Sequence, residues 1–179
     1  MSSRCYSPVP ERVNSDEKAY NPGRMIVVTR SEKQTMDLGR TLGRRLRGLD
    51  VVCLYGNLGA GKTTLTKGLA EAMGFKGRVT SPTFGLAREY RGKRWSIFHV
   101  DLYRVSSKET GDIGLEEFVS DPRAVCVVEW PEAGLAYMPA DRLELRLATR
   151  RDGGRTIKLK GLGPRSKDIV KSLRPPANV

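Results

Sequence analysis

The residues best suited to chemistry gather at positions 56–64, which read Gly-Asn-Leu-Gly-Ala-Gly-Lys-Thr-Thr. From Gly56 to Thr63 this is the spacing G-x-x-x-x-G-K-[ST]. Successive backbone N–H groups can turn inward around a phosphate only in conformations that glycine adopts at low cost. A helix N-terminus placed after them adds more N–H groups and a partial positive charge. Lys62 would then reach the β and γ phosphates of a nucleoside triphosphate, and the Thr63 hydroxyl would ligate Mg2+. The surroundings support this over a plain glycine-rich turn. An apolar run, Val-Val-Cys-Leu-Tyr at 51–55, precedes the loop, and Leu65, Leu69 and Met73 recur on one helical face after it.

Such a loop needs a carboxylate on the metal side, and one usually stands at the end of a neighbouring buried strand. Two are available: Asp101 after "WSIFHV" and Glu129 after "AVCVV". Either can hold Mg2+ through water while the other orients the attacking water. No Asn is followed by Lys, so the guanine-reading N-K-x-D is missing and ATP is the expected nucleotide. A small-molecule kinase is the alternative reading, since "DLYR" has the Asp-Arg pairing of nucleoside kinases. Against it, there is no arginine-rich lid insertion.

The elements that must position these groups follow from periodicity and punctuation. "MIVVT" (25–29) reads as a strand. Ser31 with Gln34 reads as a helix N-cap and capping box. Leu38, Leu42 and Leu46 form a core-facing stripe. The helix after the glycine loop should run from about Lys62 to Met73 and stop at Gly74. "FGLAREYR" and "WSIFHVDLY" form one hairpin around "GK", and "RLELRLA" and "RTIKLK" form another around "RRDGG". "AVCVVEW" (124–130) is a further buried strand. The expected fold is α/β: a mixed sheet of the phosphate-loop NTPase type flanked by helices. Its parallel strands lie near the loop, and its antiparallel strands lie toward the C-terminus.

The chain's 179 residues are enough for one domain with a substantial core. Residues 1–24 are polar and proline-containing and read as a mobile extension. Residues 25–162 read as the ATPase domain, and residues 163–179 as a basic tail that frays. No apolar run is long enough to cross a membrane, and the N-terminal residues lack a signal-peptide core, so the cytoplasm is the expected compartment. Cys53 and Cys126 lie in apolar runs and Cys5 does not. No C-x-x-C occurs, so buried free thiols are expected. The net charge of +12 is uneven. From Arg142 onward eleven Lys or Arg face three Asp or Glu, which makes RNA contact through the C-terminal region a candidate.

Five stretches come in one order: "LYGNLGAGKTTLTKGL" (54–69), "VTSPTFGLAREY" (79–90), "IFHVDLYR" (97–104), "IGLEEF" (113–118) and "VVEWPE" (127–132). Together they resemble the TsaE family, bacterial ATPases needed to make threonylcarbamoyladenosine in tRNA. The likeness spans about residues 25–147. It departs at Asn57, where the family often has Asp, at Val100, where Phe is common, and in the longer ends.

The resemblance implies roles for individual residues. Asn57, Leu58, Gly59, Ala60, Gly61, Lys62, Thr63 and Thr64 would bind the triphosphate. Thr63 and Glu129 would be the Mg2+ ligands, Glu129 in the outer shell. Asp101 would position or activate water. Thr80, Ser81, Pro82 and Thr83 would form a switch loop in which Thr83 senses the γ-phosphate. Trp130, beside the metal site, would matter for activity. His99, the only histidine, reads either as a site residue or as a packed, hydrogen-bonded strand residue. Arg104 suits a phosphate or a partner's carboxylate, and Glu116 and Glu117 suit a short helix facing a partner. The family's activity implies docking on a TsaD–TsaB pair, with ATP hydrolysis resetting that complex between turnovers.

Overall fold

The computed structural model describes residues 21, 23–82 and 86–173. Its framework is one seven-stranded sheet in the order β1-β7-β6-β2-β5-β4-β3. The strands are β1 (Arg24–Thr29), β2 (Val51–Tyr55), β3 (Ala87–Arg91), β4 (Ser96–Asp101), β5 (Ala124–Glu129), β6 (Leu143–Thr149) and β7 (Arg155–Gly161). The helices are α1 (Glu32–Gly43), α2 (Lys62–Ala72), α3 (Leu115–Ser120) and α4 (Pro164–Ser172), with a 3-10 helix at Pro131–Tyr137. The continuous apolar runs become β2 and β5, buried at every position. This is the pattern of parallel strands covered on both faces. β2 pairs parallel with β5 and with β6, and β4 pairs parallel with β5. Antiparallel pairing occurs at both edges, as the β3–β4 hairpin on one side and β6–β7–β1 on the other. Both hairpins expected from the sequence are present, and β1 extends the C-terminal one.

Alternation along the strands divides the core in two. Leu54, Val125, Val127, Leu145, Ile157 and Leu159 face α1, α2 and α4. Cys53, Tyr55, Val100, Cys126 and Val128 face α3 and the 3-10 helix, against Leu115 and Met138. α1 starts at Ser31, whose hydroxyl accepts the Gln34 N–H at 3.2 Å. The return bond runs from the Arg30 N–H to Gln34 Oε1 at 2.7 Å, one residue before the expected capping-box donor. Leu38 and Leu42 lie on the helix, while Leu46 lies past its end yet remains buried. α1 and α2 meet backbone to backbone: a Cβ on Gly39 would strike the Leu65 carbonyl, and one on Gly68 the Met36 carbonyl.

Residues 164–172 differ from the fraying tail expected of them. Pro164 occupies the first turn, where its missing N–H costs nothing. The Asp141 carboxylate accepts the Arg165 and Ser166 N–H groups at 2.7 and 2.9 Å, and so caps the helix from a distant loop. Ile169, Val170 and Leu173 join the core, and Arg165 pairs with Asp50 at 2.8 Å. The basic composition hid this apolar stripe. No helix among the described residues is long and apolar enough to cross a membrane.

Candidate functional site

β2, β4 and β5 end together, and their register fixes the site. Asp101 is opposite Glu129, and Glu129 is opposite Leu54, just before the glycine loop. Period-two alternation turns Ile97, His99 and Asp101 toward the α2 side of the sheet, along with Val125, Val127 and Glu129. The loop between β2 and α2 depends on Gly56, Gly59 and Gly61, all at positive φ. At Gly56 a side chain would also collide with the Leu147 carbonyl. Gly61 is the N-cap of α2 and has no side chain to cap with, and no acidic residue stands in the first turn. The helix N-terminus therefore keeps its positive end for an anion. Asn57, Leu58 and Gly59 form the exposed rim, while Ala60 is buried. The Arg155 guanidinium donates to the Ala60 carbonyl at 3.1 Å and the Gly59 carbonyl at 3.4 Å, clipping the loop to the start of β7.

Glu129 joins the parts. Its side chain is nearly buried, and Oε1 accepts hydrogen bonds from Thr63 Oγ1 at 3.0 Å and His99 Nε2 at 2.9 Å. A carboxylate only accepts, so Nε2 carries the proton. His99 is fully buried, and its Nδ1 has no hydrogen-bond partner. Both sequence readings of His99 thus meet in one residue: it is packed, and it holds the site carboxylate. Lys62 is also buried. Its Nζ donates to the Gly56 carbonyl at 2.7 Å and the Asn57 carbonyl at 3.1 Å and lies 4.0 Å from Glu129 Oε2. Burial lowers the Lys62 pKa, while the charges of Glu129, Asp101 and Glu132 oppose that shift. The ammonium also sits 4.4 Å from the centre of the Trp130 ring, a cation–π contact. Trp130 reaches this position from a left-handed backbone, φ 55°, as β5 turns into the 3-10 helix.

Asp101 is held separately. Its Oδ2 accepts from Ser81 Oγ at 2.8 Å and its Oδ1 from the Tyr103 N–H at 3.0 Å. This connects the expected switch segment to the carboxylate. Thr80 is held by Tyr90 and Arg88, and Pro82 is buried. Thr83 lies outside the described residues. Thr64 turns away from the centre, its hydroxyl 3.4 Å from Glu32 Oε1 on α1. Arg104, Glu116 and Glu117 are exposed. Sequence reasoning missed Arg155, and nothing in its local pattern marks it.

Comparison with known proteins places this arrangement. The family model described as "Threonylcarbamoyl adenosine biosynthesis protein TsaE" matches residues 29–157. The chain belongs to the TsaE family. It is 44% identical over 137 residues to the TsaE of Streptomyces coelicolor, covering 72% of this chain and 91% of that one. It is 41% identical to the TsaE of Treponema pallidum, over 74% and 98% of the two chains. The crystal structure of YdiB from Bacillus subtilis superposes with a TM-score of 0.72 at 29% identity, over 84% of this chain and 93% of that one. The protein is thus one of tRNA threonylcarbamoyladenosine biosynthesis.

The residues fit a Mg2+–triphosphate group. The Thr63 hydroxyl points its proton at Glu129, which leaves its lone pairs for a cation. Glu129 supplies a hard oxygen atom beside it, and Asp101 another at the end of the adjacent strand. Among the described residues no three His, Cys, Asp or Glu side chains converge as a protein-only metal site. Mg2+ does not need one, because it keeps waters and takes its remaining ligands from phosphates.

Proposed function

We propose that the protein is a Mg2+-dependent ATPase that acts on a TsaD–TsaB complex during formation of the threonylcarbamoyl modification on the adenosine beside the tRNA anticodon. The observation that carries the reading is the meeting of Lys62, Thr63 and Glu129 at the mouth of the glycine loop, with Asp101 on the adjacent strand end. The backbone of residues 57–64 holds the phosphates. Lys62 exchanges the Gly56 and Asn57 carbonyls for phosphate oxygens. Thr63 and Glu129, which hydrogen-bond each other, would hold the cation. When bound, Mg2+ would neutralise charge on the phosphate oxygens. Asp101 orients the water that attacks the terminal phosphorus. Its bond to Ser81 is the route by which the segment containing Thr83 reports the γ-phosphate. Trp130 holds Lys62 in line from above.

The decisive assay is ATP hydrolysis by the purified chain, alone and with TsaD and TsaB from a related bacterium. Slow turnover alone, strong stimulation by the pair and loss of that stimulation in Lys62→Ala support the proposal. Fast unstimulated turnover, or transfer of phosphate to an added small molecule, overturns it.

A further inference from the structure

The half of the sheet beyond β2 is covered on one side only. Helices α1 and α4 take the face formed by Val27, Ile157, Leu159, Leu145 and Leu147. On the opposite face the register lines residues up in rows across β1, β7 and β6. Arg24, Lys160 and Glu144 make one row, and Ile26, Lys158 and Arg146 the next. No described helix packs there, and Arg24, Lys158, Lys160 and Arg146 are exposed.

The charge on this face is unbalanced. Among the described residues its one acid, Glu144, is already taken: Arg142 donates to it at 3.0 Å and the Tyr55 hydroxyl at 3.1 Å, with Arg146 at 3.9 Å. The Arg146 guanidinium carbon also lies 4.1 Å from the centre of the Tyr55 ring, a cation–π contact on this face. The Lys158 and Lys160 side chains make no hydrogen bond or ion pair among the described residues. They stand two residues apart on the same side of β7, about 7 Å along the strand. A sheet face with spaced cations and, among the described residues, one acid already paired suits a phosphate backbone. The pathway to which the chain belongs modifies an RNA.

We propose that this β1–β7–β6 face is a docking surface for the phosphate backbone of tRNA. The contact is electrostatic and independent of nucleotide hydrolysis. Of the basic region from Arg142 onward that composition marked, the docking surface is the part on β6 and β7, joined by β1 on the exposed side of the sheet.

The test is fluorescence anisotropy of a labelled, unmodified tRNA transcript with the full chain across a salt series. The Lys158→Glu/Lys160→Glu variant is compared with Lys33→Glu/Lys108→Glu, which alters net charge equally at exposed sites elsewhere. The expected result is at least a tenfold loss of affinity in the first variant only. Its log–log salt slope should also shrink by roughly 1.4–1.8, the share of two phosphate contacts. Equal losses in both variants, no measurable tRNA binding by the parent chain, or displacement of tRNA by polyglutamate of matched charge would each overturn the proposal. The last outcome would mark the face as one for an acidic protein. Unchanged circular dichroism and unchanged ATP binding in both variants show that the fold is intact.

Discussion

Replacing His99 with leucine removes one contact from the site while keeping most of the bulk. Glu129 is 3% exposed, and among the described residues two hydrogen-bond donors reach its Oε1, Thr63 at 3.0 Å and His99 at 2.9 Å. A hydrogen bond to a charged group contributes roughly 1.5–3 kcal/mol net. At about 1.4 kcal/mol per decade this is roughly 10- to 150-fold in an equilibrium constant. Without nucleotide the loss falls on folding, and a chain of this size should melt about 3–12 °C lower. With nucleotide, a less constrained Glu129 should raise the Mg2+ concentration needed for ATP binding. His99→Gln restores a donor and should recover part of both effects. Scanning fluorimetry and a Mg2+ titration of ATP binding read them separately. As the only histidine, His99 also gives one pair of ring 15N signals, expected in the Nε2–H tautomer. A leucine variant with parental melting and Mg2+ dependence, or a glutamine variant no better than leucine, would refute the role given to the ring.

Three other outcomes follow from the same coordinates. Asp101→Ala should keep Mg2+–ATP binding and lose hydrolysis in the presence of TsaD and TsaB; normal turnover would remove Asp101 from the chemistry. Gly68→Ala should destabilise by roughly 1–3 kcal/mol in a denaturant titration. Helix propensity alone would favour alanine by about 1 kcal/mol, so a stabilised variant would refute the close α1–α2 approach. Burial pushes the Cys53 thiol up from 9.0 to about 12 and raises Cys126 as well. The unfolded chain therefore sheds these protons first, and stability should fall as pH rises from about 9 toward 12. Cys53→Ala/Cys126→Ala should flatten that fall in urea midpoints measured across the range, and an unchanged slope would contradict it.

The parts of the site legible in the sequence are those that a short local pattern fixes. Gly56, Gly61, Lys62 and Thr63 stand at set spacing, and two buried runs end in Asp101 and Glu129. The structure makes those two carboxylates register partners. No pattern announced Arg155, because its bonds to Gly59 and Ala60 span more than ninety residues and exist only once β7 lies two strands from β2. The partnership of His99 and Glu129 likewise depends on which face each strand turns inward. α4 was obscured by its own composition: Arg165, Lys167 and Lys171 mask three apolar residues, and its cap comes from Asp141. Gly39 and Gly68 are unfavourable in a helix by propensity alone, and each is the place where the other helix's backbone comes close.

That glycine contact has a mechanical meaning. With backbone against backbone there is no layer of side chains to shear, so α1 and α2 behave as one beam with the glycine loop fixed to its end. Glu32 braces the beam further, reaching Thr64 at 3.4 Å and Lys67 at 3.8 Å. The strand ends bearing Asp101 and Glu129 meet this beam at the Thr63–Glu129 bond, which ties the start of α2 to the end of β5.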